Sequence, residues 1–442
     1  MKKEITASLK LAYPIILGEL AQVALHLIDS AMVGQVSYYH LGASALANNI
    51  IHIPFIMGMG LTIAIAQMTS LYQGRHDHKN VSHYFFNGMF IILLASLIIA
   101  TALLFGKDLV YNMKQDIKVA TLAEPYFKII AWSLIPALLF FGLKQFTDGL
   151  QYTKTAMALS LFALPLNVFL NWLLIYGNWG FPRLELIGAG IGTLLTRVII
   201  FVLLLILVLY HPLYKKYKLI APRAWKLSKK TMRDILSIGI PSSFQLTMEA
   251  GAFAISGLII GSISAISLAS HQIALSISSF TFMASVGLSQ ALSIRTSNAY
   301  SQNNWVKAGI IGKSGLYLTA LYGIFCALIF LFFRFPLSSM FTQNEEVLQL
   351  AGYLLILSAI FQVPDTIQVN SSGLLRGIKD VKVPSFIVAM AYWVIGIPLG
   401  VLLAFKFNMG AQGIWIGLII GLTISSIFLT RRFFNTINRN KM

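Results

Sequence analysis

Four acidic residues, Glu19, Asp29, Glu249 and Asp365, lie in stretches that are otherwise apolar. An ionisable group at the centre of a membrane helix costs about 2.5–3.5 kcal/mol on insertion scales, so each needs a reason. A carboxyl that alternates between charged and neutral forms can carry a proton, hold a monovalent cation or attract a cationic molecule. In the first apolar run Glu19, Gln22, His26 and Asp29 are spaced three, four and three residues apart. That spacing puts them on one face of a helix. A polar stripe there must face protein or a water-filled cavity.

Three further runs carry paired polar groups. Asn167 and Asn171 are one turn apart in LNVFLNW, as are Gln245 and Glu249 in FQLTME. Gln362, Asp365 and Gln368 share the run FQVPDTIQV, where Pro364 removes a backbone donor and can bend the helix beside the acid. Amide oxygens can accept from a protonated carboxyl or ligate a cation. Serines, threonines, His271 and Gln272 crowd another run, which reads as cavity lining. Packing is the competing reading throughout. The asparagines can be interhelical glue, and His26 is either a proton relay or a hydrogen-bonded packing residue. Lys144 and Arg197 also fall within apolar runs and call for acidic partners that the sequence does not name. Arg295 and Arg376 sit near helix ends and can snorkel. Interface anchoring or packing explains Trp172, Trp393 and Trp415 as well as substrate stacking does.

The elements that position these groups follow from composition. Hydrophobic residues make up 57% of the 442-residue chain and charged ones 11%. A soluble domain carries about 25% charged residues, so this chain cannot cover a water-facing surface. Apolar runs of about 20 residues are enough to span a bilayer. Twelve are expected, near 8–33, 44–71, 85–106, 124–149, 156–176, 188–210, 235–262, 266–298, 308–334, 347–374, 383–405 and 411–431. The first could pass for a signal peptide, since Met1-Lys2-Lys3 precedes it. Its polar stripe and the lack of a small-residue cleavage site instead predict an uncleaved span.

The net charge of +18 is distributed between spans and not gathered in one patch, which argues against nucleic acid. With both termini cytoplasmic, seven basic residues fall outside: Lys107, Lys114, Lys118, Lys128, Arg183, Arg334 and Lys406. Lys144 and Arg197 lie within spans, and the other 24 of the 33 Lys and Arg fall inside. This is the positive-inside bias of a cytoplasmic-membrane protein. The lone Cys326 forms no internal disulfide and no metal motif. No phosphate-binding glycine loop, clustered diphosphate–metal aspartates or HExxH sequence indicates an ATPase or an intramembrane enzyme.

The two halves repeat. Residues 60–70 match 287–297, and Pro14 matches Pro241, at an offset of 227; Pro136 matches Pro364, and Gly149 matches Gly377, at 228. Six spans per half is an even number, so both halves enter from the same side, as parallel repeats do. The expected fold is all-α, with twelve transmembrane helices in two six-helix bundles related by a parallel pseudo-two-fold axis. The expected domains are 1–210, a basic solvated cytoplasmic linker at 211–234, and 235–442.

Seven stretches in order along the chain carry a resemblance: IDSAMVG at 28–34, FTDG at 146–149, LNVFLNW at 166–172, ASHQIALS at 269–276, SIR at 293–295, PDTIQV at 364–369 and LRGIKD at 375–380. Together they resemble the NorM-type branch of the multidrug and toxic compound extrusion (MATE) antiporters. The resemblance implies twelve spans in two bundles and export of lipophilic cations in exchange for protons or sodium. It implies that Asp29 is the first-bundle acid, with Asn167, Asn171 and Thr193 around it, and that Glu249 and Asp365 are the cation-coupling acids of the second. The spacing of the residues themselves, apart from the resemblance, makes Gln22, His26, Gln245, His271 and Gln368 the expected supporting or substrate-binding groups. Some sodium-coupled relatives have a tyrosine four residues before the tenth-span acid. Here that residue is Phe361, and with Pro364 it departs from the usual sodium site. The expectation is therefore a monomeric, proton-driven antiporter working by alternating access, with Na+ at Glu249 and Asp365 as the other coupling ion. The alternative function is a flippase for a lipid-linked precursor, for which extra spans and a cationic cleft would be expected.

Overall fold

A computed structural model describes residues 1–112, 116–222 and 224–441. Lys114, counted above among the outer lysines, and Arg223 of the linker lie outside the described residues. The twelve expected spans are twelve helices: α1 (Lys2–Gly34), α2 (Tyr38–Gly74), α3 (His78–Phe105), α4 (Ile117–Gly149), α5 (Thr153–Tyr176), α6 (Glu185–Tyr210), α7 (Lys229–Ile263), α8 (Ala265–Ser301), α9 (Trp305–Phe332), α10 (Glu345–Gly377), α11 (Lys382–Lys406) and α12 (Gly410–Arg439). Most are longer than their apolar runs, and several begin at a capping side chain and not at the first apolar residue. Ser37, Asp77 and Asp116 accept from the backbone amides of Tyr39, Asn80 and Lys118. Ser264, Asn304 and Asn344 do the same for Ser267, Lys307 and Val347 at the repeat-related starts.

The repeat reappears in close packing. A Cβ on Gly149 would lie 2.7 Å from the Ala66 carbonyl oxygen and 2.9 Å from Thr69 Cβ. On Gly377 it would lie 2.8 Å from the Ser293 oxygen and 2.7 Å from Thr296 Cβ. Only glycine lets α4 meet α2, and α10 meet α8, at these crossings.

The chain divides into two compact units, one of Leu17–Ser243 and one of Met1–Ile16 with Phe244–Met442. Both borders fall two residues after a repeat-related proline, Pro14 in α1 and Pro241 in α7. A proline removes one helical hydrogen bond, so it is a place where a long helix can change partners. The first turns of α1 accordingly pack in the second unit: Arg295 of α8 pairs with Glu4 and donates to Ser8. The first turns of α7 pack in the first unit, where Ser243 Oγ donates to the Met57 carbonyl at 2.5 Å.

The segment after α6 is not a free tether. Tyr214 and Tyr217 are buried, and the Tyr217 hydroxyl donates to Gln73 Oε1 at 2.8 Å. Trp225 stacks on Phe86, and Asn87 bonds the Lys226 oxygen and the Ser228 amide. Lys215, Lys216 and Lys218 stay exposed. The lysines named are exposed, while the aromatic side chains dock the segment on α2 and α3.

Candidate functional site

In the Leu17–Ser243 unit, Asp29 is buried among donors. Asn171 Nδ2 donates to its Oδ1 at 2.6 Å and Thr193 Oγ1 to its Oδ2 at 2.9 Å. The same Asn171 amide reaches Asn167 Oδ1 at 3.1 Å, so the i,i+4 pair on α5 acts as one group. Gly192 on α6 makes this possible, since any Cβ there would collide with Asn171 Oδ1. Arg197, one turn beyond Thr193, donates to Ser133 at 2.6 Å and lies within electrostatic reach of Asp29. Each Asp29 oxygen therefore has a neutral donor, with a guanidinium nearby. Gln22 is half-buried and His26 exposed.

Glu19 belongs to a different group. Lys144 Nζ lies 2.7 Å from Glu19 Oε1 and 3.3 Å from Asp148 Oδ2, with all three buried. Such geometry offsets much of the desolvation of the charges. The polar stripe on α1 is thus split between a salt-bridged end at Glu19 and a hydrogen-bonded end at Asp29. Lys144 thus has two acidic partners, Glu19 on α1, 125 residues away, and Asp148 one turn on in its own helix, whereas the hydrogen-bond partner of Arg197 is not an acid but the Ser133 hydroxyl on α4, 64 residues away.

In the second unit, Glu249 on α7 and Asp365 on α10 are 7% and 3% exposed and within electrostatic reach of one another. Gln368 lies beside Glu249, and Arg376 is within electrostatic reach of it. The polar atoms here are short of partners: Glu249 Oε1 and Gln362 Nε2 are buried without a hydrogen bond among the described residues. Gln362 Oε1 accepts from Thr281 at 3.1 Å. Two other expected residues turn away from the acids. Gln245 donates to Ser372 at 3.0 Å, and His271 Nδ1 accepts from the Trp415 indole at 3.2 Å. Trp415 is itself fully buried.

Sequence reasoning passed over Tyr392. It stands in an apolar run of α11, is fully buried, and its hydroxyl has no partner. Glu249 and Asp365 lie within electrostatic reach of it. The absence of a hydroxyl at Phe361 was the signal that should have prompted a search for one on a neighbouring helix.

A family model for MatE matches the chain twice, over residues 14–173 and 241–402, in register with the repeat. The chain belongs to the MatE family. It is a NorM-like MATE transporter, a multi-pass membrane protein and not an enzyme. A probable multidrug resistance protein NorM of Rhizobium meliloti is 32% identical over 98% of this chain and 94% of its own length. Multidrug resistance protein NorM of Photobacterium profundum is 30% identical over 98% and 95%. Among solved structures, an outward-facing multidrug resistance MATE transporter of the MOP superfamily superposes with a TM-score of 0.89 at 19% identity, covering 99% of this chain and 97% of that one. A MOP superfamily transporter from Pyrococcus furiosus matches equally well, at a TM-score of 0.89, 19% identity and coverages of 99% and 97%. For that protein a reversed binding-pocket polarity and a different function have been suggested. These likenesses establish the fold, and the chemistry rests on the residues.

Proposed function

We propose that this transporter exports lipophilic, mostly cationic drugs across the cytoplasmic membrane in exchange for protons. Both termini are cytoplasmic, and the chain acts as a monomer. One observation carries the reading: two carboxyls from different helices are buried together amid polar atoms that lack partners. A buried like-charge pair is relieved by binding a proton or a monovalent cation. Glu249 and Asp365 are the coupling groups, with Gln368 beside them. Asp29, with Asn167, Asn171 and Thr193, is the first-unit acid that shares protons or drug. Gln22 and His26 flank it toward the substrate path, while Gln245 and His271 hold the second unit's helices in place.

Ionised, the carboxyls attract a cationic drug; protonated, they do not. Drug and proton therefore compete for the same charge, and the proton's removal of a buried charge biases inward against outward states. Exchanging one monovalent cation for one proton is electroneutral. The membrane potential, worth about 2.3 kcal/mol per charge per 100 mV, then adds nothing, and a pH gradient alone drives export. Phe361 favours the proton, because the hydroxyl of the sodium-type pattern is missing at that position. Acids at the site, where lipid-linked phosphates would call for cations, set the flippase reading aside.

The test is ethidium efflux from proteoliposomes under an imposed pH gradient or an imposed sodium gradient, one at a time. Efflux that stops when the pH gradient collapses at zero sodium supports the reading. Efflux that survives the collapse and requires a sodium gradient reassigns the ion to Na+ at Glu249 and Asp365.

A further inference from the structure

The second unit holds a buried hydroxyl that its hydrogen-bonding network does not use. Tyr392 lies on Ala391–Gly396, a π-helical turn inside α11. Such turns insert one residue into a helix and often mark functional sites. Small residues allow the turn to sit close to α12: a Cβ on Gly421 would lie 2.5 Å from the Ala391 carbonyl. The next residue, Trp393, donates its indole N–H to the Met248 carbonyl at 3.0 Å, tying the turn to α7 one residue before Glu249. The Tyr392 ring meets Phe253 edge-on at 6.0 Å, and Phe253 is one turn beyond Glu249. Phe253 meets Phe361 at 5.9 Å, and Phe361 is one turn before Asp365. Tyr392 is thus fixed by rings that belong to the same helical turns as the two acids.

Other polar groups near the pair are occupied or remote. The Tyr322 hydroxyl on α9 donates to the Thr281 carbonyl at 2.9 Å, and Cys326 lies beside Tyr322. Arg376 of α10 donates to Ser289 at 3.1 Å. His271 of α8 is separated from Phe361 by the Trp415 ring. The Tyr392 hydroxyl alone among these is buried, without a partner among the described residues, and within electrostatic reach of both acids.

We propose that the Tyr392 hydroxyl completes the ion site of Glu249 and Asp365, taking the role left open by Phe361. A phenol both donates and accepts. It donates to the carboxylates when they are charged. It accepts from the acid O–H when a proton is bound. The site is then three-membered, with its hydroxyl on α11 and not on α10. This rests on the reading of Glu249 and Asp365 as the coupling pair.

The experiment is ethidium binding to the purified full-length transporter, titrated with pH. Protons displace the dye, so binding falls below a midpoint pH. In Tyr392→Phe the charged pair loses a donor, and the midpoint moves up by about one pH unit, a tenfold gain in proton affinity. Adding Phe361→Tyr to that variant returns the midpoint toward its original value. A merely structural tyrosine would lower binding at every pH without moving the midpoint, and that result overturns the proposal. If Tyr392→Phe does not purify as a single species, Tyr392→Met fills the space flexibly and is held to the same shift. Glu249→Gln separates the two levels of argument. If it removes the pH dependence while the Tyr392 variants leave the midpoint unmoved, the hydroxyl proposal alone fails. If Glu249→Gln keeps the original dependence, the coupling pair itself is wrong and the hydroxyl falls with it.

Discussion

The acid sites of the two units solve opposite problems. Asp29 has a neutral donor on each oxygen, 2.6 and 2.9 Å away, and a guanidinium within electrostatic reach. Glu249 and Asp365 lie within electrostatic reach of one another, and Glu249 Oε1 accepts no hydrogen bond among the described residues. The first arrangement is already satisfied by protein when Asp29 is charged. The second leaves work for an ion. Repeat-related positions sharpen the contrast. At the offset of 227 Asp29 corresponds to Ser256, and at 228 Asp365 corresponds to Ala137. The two halves share their crossings and caps, but each has placed its acids on its own.

The largest expected effect tests the unsatisfied site. Glu249→Gln and Asp365→Asn keep the volume and fix a neutral state, so each should reduce gradient-driven dye efflux by about 100-fold or more, the loss expected when a charge essential to the transported state is gone. Folding should survive, since the charged form bears the desolvation cost. Efflux within a few-fold of the original for either variant would remove the distinction between the units.

Next comes the buried triad, a test of stability and not of transport. Lys144→Met leaves Glu19 and Asp148 without the ammonium that lies 2.7 and 3.3 Å from them. Breaking a buried pair from one side costs about 3–5 kcal/mol, so the variant should melt early or fail to accumulate. Glu19→Gln leaves the Lys144–Asp148 pair in place and should cost far less. Thermal melting of the two detergent-solubilised proteins orders them, and an equal loss would show that Glu19 and Asp148 are not interchangeable counter-charges.

The satisfied site predicts an intermediate effect. Gly192→Ala pushes a methyl against Asn171 Oδ1 and should drive the amide off Asp29. Losing a hydrogen bond to a charged group is worth about 1.5–3 kcal/mol, or roughly a tenfold to 100-fold weakening of whatever Asp29 does in its charged form. Asn171→Leu should reproduce that loss without touching α6. Normal efflux in both would make the Asp29 cluster a packing feature.

Which of these groups could be read from the sequence follows from range. Asn167 and Asn171 are one turn apart, so their common face was visible, as were the repeat, the spans and the acids themselves. Local spacing carries that information. Of the two partners of Lys144, Asp148 is one turn away on the same helix, but Glu19 is 125 residues distant, and nothing in either segment names the other. Glu19 and Asp29 share a stripe on α1 yet serve separate clusters, because a helix of 33 residues passes several neighbours. Tyr392 was hidden for a different reason. Its run is apolar throughout, and the π-helical turn that orients it leaves no mark in a pattern read at 3.6 residues per turn. The docking of the basic segment was signalled by Tyr214, Tyr217 and Trp225, whose rings were outweighed by the lysines around them.

The smallest expected effect concerns His26, on the stripe between the two clusters of α1. It is exposed, whereas Asp29, one turn on, is buried. A relay histidine must exchange a proton with a neighbour held at hydrogen-bond distance, directly or through one water. A histidine on the substrate path needs only to present a polar edge. His26→Gln preserves that edge and removes the titration. If His26 is a path residue, the KM for ethidium should change by no more than about threefold, since one weak contact is worth well under 1 kcal/mol, and the pH dependence of efflux should be unaltered. If the pH profile loses one limb instead, the imidazole carries a proton. The first unit would then contain a titrating pair, His26 with Asp29, and the opposition between a satisfied site and an ion-seeking one would have to be redrawn.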